Sequence, residues 1–373
     1  MSVAAVAAIK SSLGQRLSSF PHCHHYFRLQ LQLSAKQLEQ FLVPPNLTTC
    51  PGGRDTVASE GSLLGVRKPI PGVPSKSPSA TNLCFDVEDP DAVIRTLAAQ
   101  GCRVPVPPVS VKDVQGTVTY AVLSSPAGNL SLTLLARDGY RGLFLPGFRP
   151  VHSAPGPGWV SHVDHLTLAC TAGSSPALRR WFHDCLGFCH LPLSPGEDPE
   201  LGLEVAAGSG PGGLRLTALQ SPPGTAVPTL VLAESLPGVT SRPDQVEQFL
   251  ARHRGPGLQH VGLYTPNILE AAKGMVVAGG RLLTPPKAYY QQPGKEREIR
   301  AAGHKPSLLA QQGILIDGDK GKFLLQVFTK SLFAEDTFFL ELIERQGATG
   351  FGQDNIRALW QSVQEEATRG QEA

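Results

Sequence analysis

The clearest helical spacing in the chain lies in "SSPALRRWFHDCLG", where Leu178, Trp181, Phe182, Cys185 and Leu186 recur at i, i+3, i+4, i+7 and i+8. That spacing gathers the apolar side chains on one face and predicts an amphipathic helix. Its ends are marked as well: Ser175 suits the N-cap, Pro176 the first turn, where its missing N–H costs nothing, and Gly187 the C-terminal stop. Just upstream, "HLTLAC" from His165 has the look of a strand. The same order of strand and helix occurs twice more. "NLCFDVEDPDAVIRTLAAQGCRVPVPP" from Asn82 can be laid on "HVGLYTPNILEAAKGMVVAGGRLLTPP" from His260. Each has a short strand, a proline, a helix, a glycine nineteen residues after the start, then a further strand and a double proline. "TYAVLSSPAGNLSLTLL" from Thr119 and "GILIDGDKGKFLLQVFTK" from Gly313 add strand pairs broken by glycine-containing turns, a hairpin pattern. The repeating unit is therefore β-α-β-β-β. The predicted fold class is α+β, with repeated βαβββ modules curling into half-open barrels and each recurring strand start on a common inner surface.

Polar residues that interrupt these strands are the candidates for chemistry. His165 and His260 stand at two of the three strand starts, and Asn82 stands at the other. Glu341 lies in "TFFLELIERQG", and an apolar strand seldom holds a carboxylate unless it is paired or bound to metal. Two imidazoles and one carboxylate on one barrel wall form the facial set of non-haem Fe(II) oxygenases, which leaves three coordination positions open. Hydrogen-bonded core histidines beside a salt-bridged glutamate would give the same pattern, and the spacing alone does not separate the two readings. Other clusters carry less. "HCHH" at 22–25 has no second half to close a tetrahedral site. In "HDCLGFCH" at 183–190, Cys185 belongs to the buried helical face, and "GSGPGG" at 208–213 lacks the lysine and helix of a phosphate loop. No G-x-S-x-G elbow supports a serine hydrolase.

Composition narrows the partners. At 373 residues, 41% apolar and 17% charged, the chain has room for two globular domains. A net charge of +2 without a basic run gives no footprint for nucleic acid, and no apolar run approaches the roughly 20 residues of a transmembrane helix. Seven scattered cysteines fit a reducing compartment better than a disulfide framework. Residues 1–38 contain Lys10, Arg16, Arg28 and Lys36 and no acidic residue, which fits a mitochondrial presequence. The expected organisation is a presequence at 1–38, a degenerate or incomplete N-terminal βαβββ domain at 39–150, a linker at 151–159 and a catalytic domain at 160–373. A homodimer is left open.

The stretches "VDHLTLAC", "GLQHVGLYTPNI", "PPKAYYQQPGKE", "GILIDGDKGKFLLQVFTK", "FFLELIERQGATGFGQDNI" and "ALWQSVQEEA" carry a resemblance. From about Pro78 onward the chain resembles the 4-hydroxyphenylpyruvate dioxygenase family of the vicinal oxygen chelate superfamily. The resemblance implies Fe(II) held by His165, His260 and Glu341. It also implies Gln326 and Phe328, with Phe351 and Asn355, as walls of a substrate pocket and the helix that closes it. The implied substrates are O2 and an aromatic α-keto acid, 4-hydroxyphenylpyruvate, whose own keto-acid group chelates the metal before oxidative decarboxylation. Asp354 and Ile356 depart from the family's usual G-F-G-x-G-N-F ending. Leu216 and Ala233, with Glu234 beside the latter, stand where ring-hydroxylating members carry serine and asparagine. An intact ligand set with an altered pocket matches the hydroxymandelate synthase branch, so 4-hydroxymandelate is the first product expected. Homogentisate is the second, and a non-catalytic aromatic-acid-binding or scaffold paralogue is the third reading. Residues 1–77 show no convincing first βαβββ copy, so the N-terminal barrel is expected to be incomplete.

Overall fold

Three stretches of the chain fold into the same unit. The computed structural model describes residues 5–7, 27–31, 80–142, 145–146, 158–193, 197–206, 213–221, 228–237, 243–333, 335, 337–352, 355, 356 and 358. Strands β1 (Ala5–Ala7) and β2 (Phe27–Leu31) come first. The first module follows as β3 (Asn82–Asp86), α1 (Pro90–Ala99), β4 (Val106–Asp113), β5 (Gly116–Ser124) and β6 (Ser131–Ala136). The second is β7 (His162–Ala169), α2 (Ser175–Leu186), β8 (Cys189–Leu191), β9 (Leu203–Ala206), β10 (Gly213–Gln220) and β11 (Thr229–Ser235). Helix α3 (Gln245–His253) leads to the third: β12 (Gly257–Tyr264), α4 (Ile268–Val277), β13 (Leu315–Asp319), β14 (Lys322–Phe328) and β15 (Phe339–Gln346).

In every module the first and last strands pair in parallel, which a helical crossover permits. Asn82 pairs with Ser131, His165 with Thr229 and His260 with Phe339. The first module belongs to a six-stranded sheet ordered β1-β2-β3-β6-β5-β4. The second and third join through antiparallel β7 and β12 into a nine-stranded sheet ordered β13-β14-β15-β12-β7-β11-β10-β8, with β9 on β10. The architecture is α+β, with each sheet curled into a half-barrel. One apolar core runs beneath both sheets, joining Leu83 and Leu132 to Leu166, Leu258 and Leu342.

Local chemistry explains the ends of the elements. Asp89 caps α1 by accepting the Ala92 N–H at 2.9 Å, and Asn267 caps α4 through Glu270 N–H. Gly101 and Gly279, the matching glycines of the repeat, both follow their helices with positive φ. The β13–β14 hairpin turns on Lys320 and Gly321, both at positive φ, as a tight two-residue turn requires.

Several details differ from the sequence reading. Ser175 is the first residue of α2, not its cap; Ser174 holds the cap position without a side-chain bond. The reason is a buried carboxylate: Glu234 on β11 accepts the Ser175 N–H at 3.2 Å, doing the work of a cap from outside the helix. The strand expected after α4 shrinks to the bridge between Leu282 and Thr329, and α5 (Lys287–Tyr290), α6 (Lys295–Ala301) and α7 (Pro306–Gln312) are inserted there. Strand β2, which pairs antiparallel with β3, was not expected from the sequence pattern. Most of residues 1–38, all but the end of the linker at 151–159, "HCHH" and most of "GSGPGG" lie outside the described residues. Among the described residues no helix is long and apolar enough to cross a membrane.

Candidate functional site

His165 and His260 come from antiparallel neighbours, β7 and β12, and Glu341 from β15 on the other side of β12. One ligand atom from each lies within 4.8 Å of the others, the one such group of three among the described residues. Glu341 Oε2 is 3.1 Å from His165 Nε2 and 3.6 Å from His260 Nε2, and the two Nε2 atoms are 3.4 Å apart. His165 and Glu341 are each 1% exposed, and the His260 side chain is 12% exposed.

Two irregularities in the β7–β12 ladder aim these rings. Register shifts fall between Leu258 and His260 and between Gly262 and Leu263, which leaves Gln259 on β12 and Asp164 on β7 without opposite partners. Each is a bulge, and a bulge turns two successive side chains to one face. The core confirms the switch: Leu258, Val261 and Leu263 pack inward on the helix-covered face, as do Val163, Leu166 and Leu168. Gln259 and His260 both line the cavity on the opposite face. The bulge residue then holds the histidine that follows it. His165 Nδ1 donates to Asp164 Oδ1 at 2.9 Å, and His260 Nδ1 donates to Gln259 Oε1 at 3.2 Å. With Nδ1 as donor in both rings, Nε2 is the atom each turns toward Glu341.

The rest of the cluster is tightly braced. Gln326 Nε2 donates to Glu341 Oε1 at 2.6 Å, and Asn355 Nδ2 donates to Gln326 Oε1 at 2.7 Å. Tyr289 shares its hydroxyl proton between Ile316 O and Asn355 Oδ1, at 2.6 and 3.0 Å. Phe339 stacks on His260 at 4.7 Å, and Phe351 meets His165 edge-on at 4.9 Å. Gly262 faces His165 across the ladder, and a Cβ there would run into the imidazole. Burial opposes charge on both histidines. For His165 the carboxylates of Glu341 and Asp164 outweigh it and raise the pKa to about 9, whereas burial and His165 itself hold His260 well below its ordinary 6.5. Burial likewise works against ionised Asp164, but Arg345 and His165 prevail and keep its carboxyl well below the usual range.

The cluster opens on a cavity. Gln326, Phe328 and Phe351, expected as pocket walls, line it; Asn355 is fully buried behind Gln326 instead. Leu216 and Ala233 face each other across β10 and β11 and also line it, while Glu234 points away to Arg215 and α2. Of the lining residues from β10, β11 and α3, only Gln245 is polar. In "HDCLGFCH" the side chains go separate ways: His183 pairs with Asp184 and His190 with Glu197.

The sequence reading did not single out Asp164, Gln259, Gln245, Gly262, Tyr289 or Arg345. For the first two a signal exists. "VDHLTL" and "LQHVGL" both place two polar residues between apolar ones, so apolar spacing goes from three to two, where an uninterrupted strand alternates. "ATNLCF" at the first module has the same spacing.

Paired half-barrel modules, with His165, His260 and Glu341 gathered on one wall, define a fold of the vicinal oxygen chelate type. A solved triple mutant of 4-hydroxymandelate synthase from Streptomyces coelicolor shares this fold, with a TM-score of 0.59, 23% identity and 78% of each chain covered. A relative from Homo sapiens, a 4-hydroxyphenylpyruvate dioxygenase-like protein, is 81% identical over 296 residues, 79% of this chain and 80% of its own. The 4-hydroxyphenylpyruvate dioxygenase of Yarrowia lipolytica is 30% identical over 300 residues, 78% of this chain and 73% of its own. The chain belongs to the 4-hydroxyphenylpyruvate dioxygenase family. No protein-family model matches it.

Proposed function

We propose that the chain is an Fe(II)-dependent oxygenase converting 4-hydroxyphenylpyruvate and O2 to 4-hydroxymandelate and CO2. The observation that carries this reading is the complete, buried set of His165, His260 and Glu341 facing a cavity. The donors fit iron: two imidazole nitrogens freed by Nδ1 hydrogen bonds and one carboxylate, the set of non-haem Fe(II) oxygenases. When bound, the iron supplies the O2 and one-electron chemistry that side chains lack.

The chain's own part is to hold, aim and keep dry. Asp164 and Gln259 fix the two rings, and Gln326 occupies the other oxygen of Glu341. Phe328, Phe351 and Ile356 wall the cavity against water. Leu216 and Ala233 offer a ring contact without a hydrogen bond, so shape steers the substrate along that wall. An apolar wall where ring-hydroxylating relatives carry polar groups supports reaction at the benzylic carbon. A mitochondrial location belongs to the same reading, supported by the absence of acidic residues before Glu39. Import of a reporter carrying residues 1–38 tests it.

The deciding experiment is anaerobic reconstitution with Fe(II), addition of 4-hydroxyphenylpyruvate and O2, and product identification by mass spectrometry beside a His260→Ala control. The expected product is 4-hydroxymandelate, absent from the control. Homogentisate would replace this reading with its ring-hydroxylating neighbour. Failure to bind iron, with neither product formed, would favour a non-catalytic scaffold.

A further inference from the structure

We infer that Arg345 is a positioning residue that ties the order of residues 348–352 to the orientation of His165. The inference rests on the metal reading above and adds a control to the same site.

Arg345 lies on β15, four residues beyond Glu341. One edge of its guanidinium grips the bulge residue of β7: Nε and Nη2 donate to Asp164 Oδ2 and Oδ1, both at 2.8 Å. Asp164 Oδ1 in turn accepts from His165 Nδ1. The other edge grips backbone: Nη1 donates to Gly350 O at 2.7 Å and to Ala348 O at 3.4 Å. Its Cζ lies 5.5 Å from the centroid of the Phe351 ring, the same ring that meets His165 edge-on. One rigid, five-donor group therefore joins a histidine ligand to the segment that closes the cavity through Phe351. Lysine has a point charge and cannot serve both edges at once. If residues 348–352 shift, Phe351 and Arg345 move together, and Asp164 loses the partner that fixes its angle to His165.

Two readouts on the full chain test this. Fe(II) affinity is measured anaerobically by calorimetry, and amide exchange across residues 346–352 is measured by mass spectrometry with and without the metal. In the wild type, Fe(II) should slow exchange in that segment. Arg345→Lys should weaken Fe(II) binding by about 10- to 100-fold, the usual effect of removing a partner behind a ligand, and the segment should no longer respond to the metal. Arg300→Lys, a change in an exposed pair with Glu296, should alter neither readout. Wild-type affinity with an unchanged exchange response in Arg345→Lys overturns the inference and leaves the metal reading intact. If the wild type binds no Fe(II), both fall together. Should Arg345→Lys fail to fold, the wild type still decides: exchange in 346–352 that is indifferent to bound Fe(II) is incompatible with the coupling.

Discussion

The first and third modules place different residues at matching positions of the same ladder. In the first, Asn82 Nδ2 lies 2.9 Å from Thr133 Oγ1. In the third, those two register positions hold His260 and Glu341, since Thr133 and Glu341 each stand two residues past the partner of the strand-start residue. An amide and a hydroxyl satisfy each other, and Cys84, Val118, Tyr120 and Leu135 form an apolar cluster on the same face of the sheet. The two imidazoles and one carboxylate of the third instead bring three possible ligand atoms within 4.8 Å of one another, beside an open cavity. The backbone is common to both, so the chemistry is set by a few side chains grafted on it.

Exchanging the pairs breaks the comparison most directly. His260→Asn combined with Glu341→Thr, which copies the first module's pair into the third, should abolish Fe(II) binding in calorimetry while the core under β12 and β15 keeps the fold. The reverse insertion tests the filled module. Thr133→Glu would bury an unpaired carboxylate at a fully enclosed position, and urea unfolding should show a loss of about 3–5 kcal/mol. Gly262→Ala sharpens the role of space: its Cβ displaces the His165 ring, so Fe(II) affinity should fall by about 10- to 100-fold with little change in secondary structure. The smallest effect concerns the seam between modules, where His253 Nδ1 donates to Gly255 O at 2.7 Å and Nε2 accepts from Asn129 at 3.1 Å. Burial lowers the His253 pKa below its ordinary 6.5, with the Gly255 bond opposing. The unfolded chain therefore takes up this proton more readily, and stability present above about pH 6.5 is lost as the pH falls through the folded-state value. The unfolding free energy from urea titrations should fall between pH 7.5 and pH 5 by more in the wild type than in His253→Gln.

Much of this arrangement was legible in the chain. The strand-helix order repeats with caps and glycines in fixed places; the repeat drew attention to His165 and His260, and a carboxylate inside an apolar strand to Glu341. Arg345 stayed hidden because, in "ELIERQG", it looks like any charged residue at a strand end; only the fold brings Asp164 to it from 181 residues away. Tyr289 was missed for a related reason. It lies in α5, a four-residue helix too short to show a period, and its importance comes from contacts to Ile316 and Asn355. Glu234 was noticed for the pocket, yet strand alternation turns it to the opposite face, where it meets Arg215 and α2.

The two bulges have a consequence for how such a centre is gained or lost. Each histidine has its hydrogen-bond acceptor beside it on the cavity face because the residue before it, Asp164 or Gln259, is surplus to the ladder. Deleting that single residue would restore plain alternation and leave the imidazole on the cavity face, but without the acceptor that fixes its tautomer and angle. For this chain the bracing of the two histidines is written partly in the count of residues along two strands, and a three-base deletion would remove it as surely as a substitution.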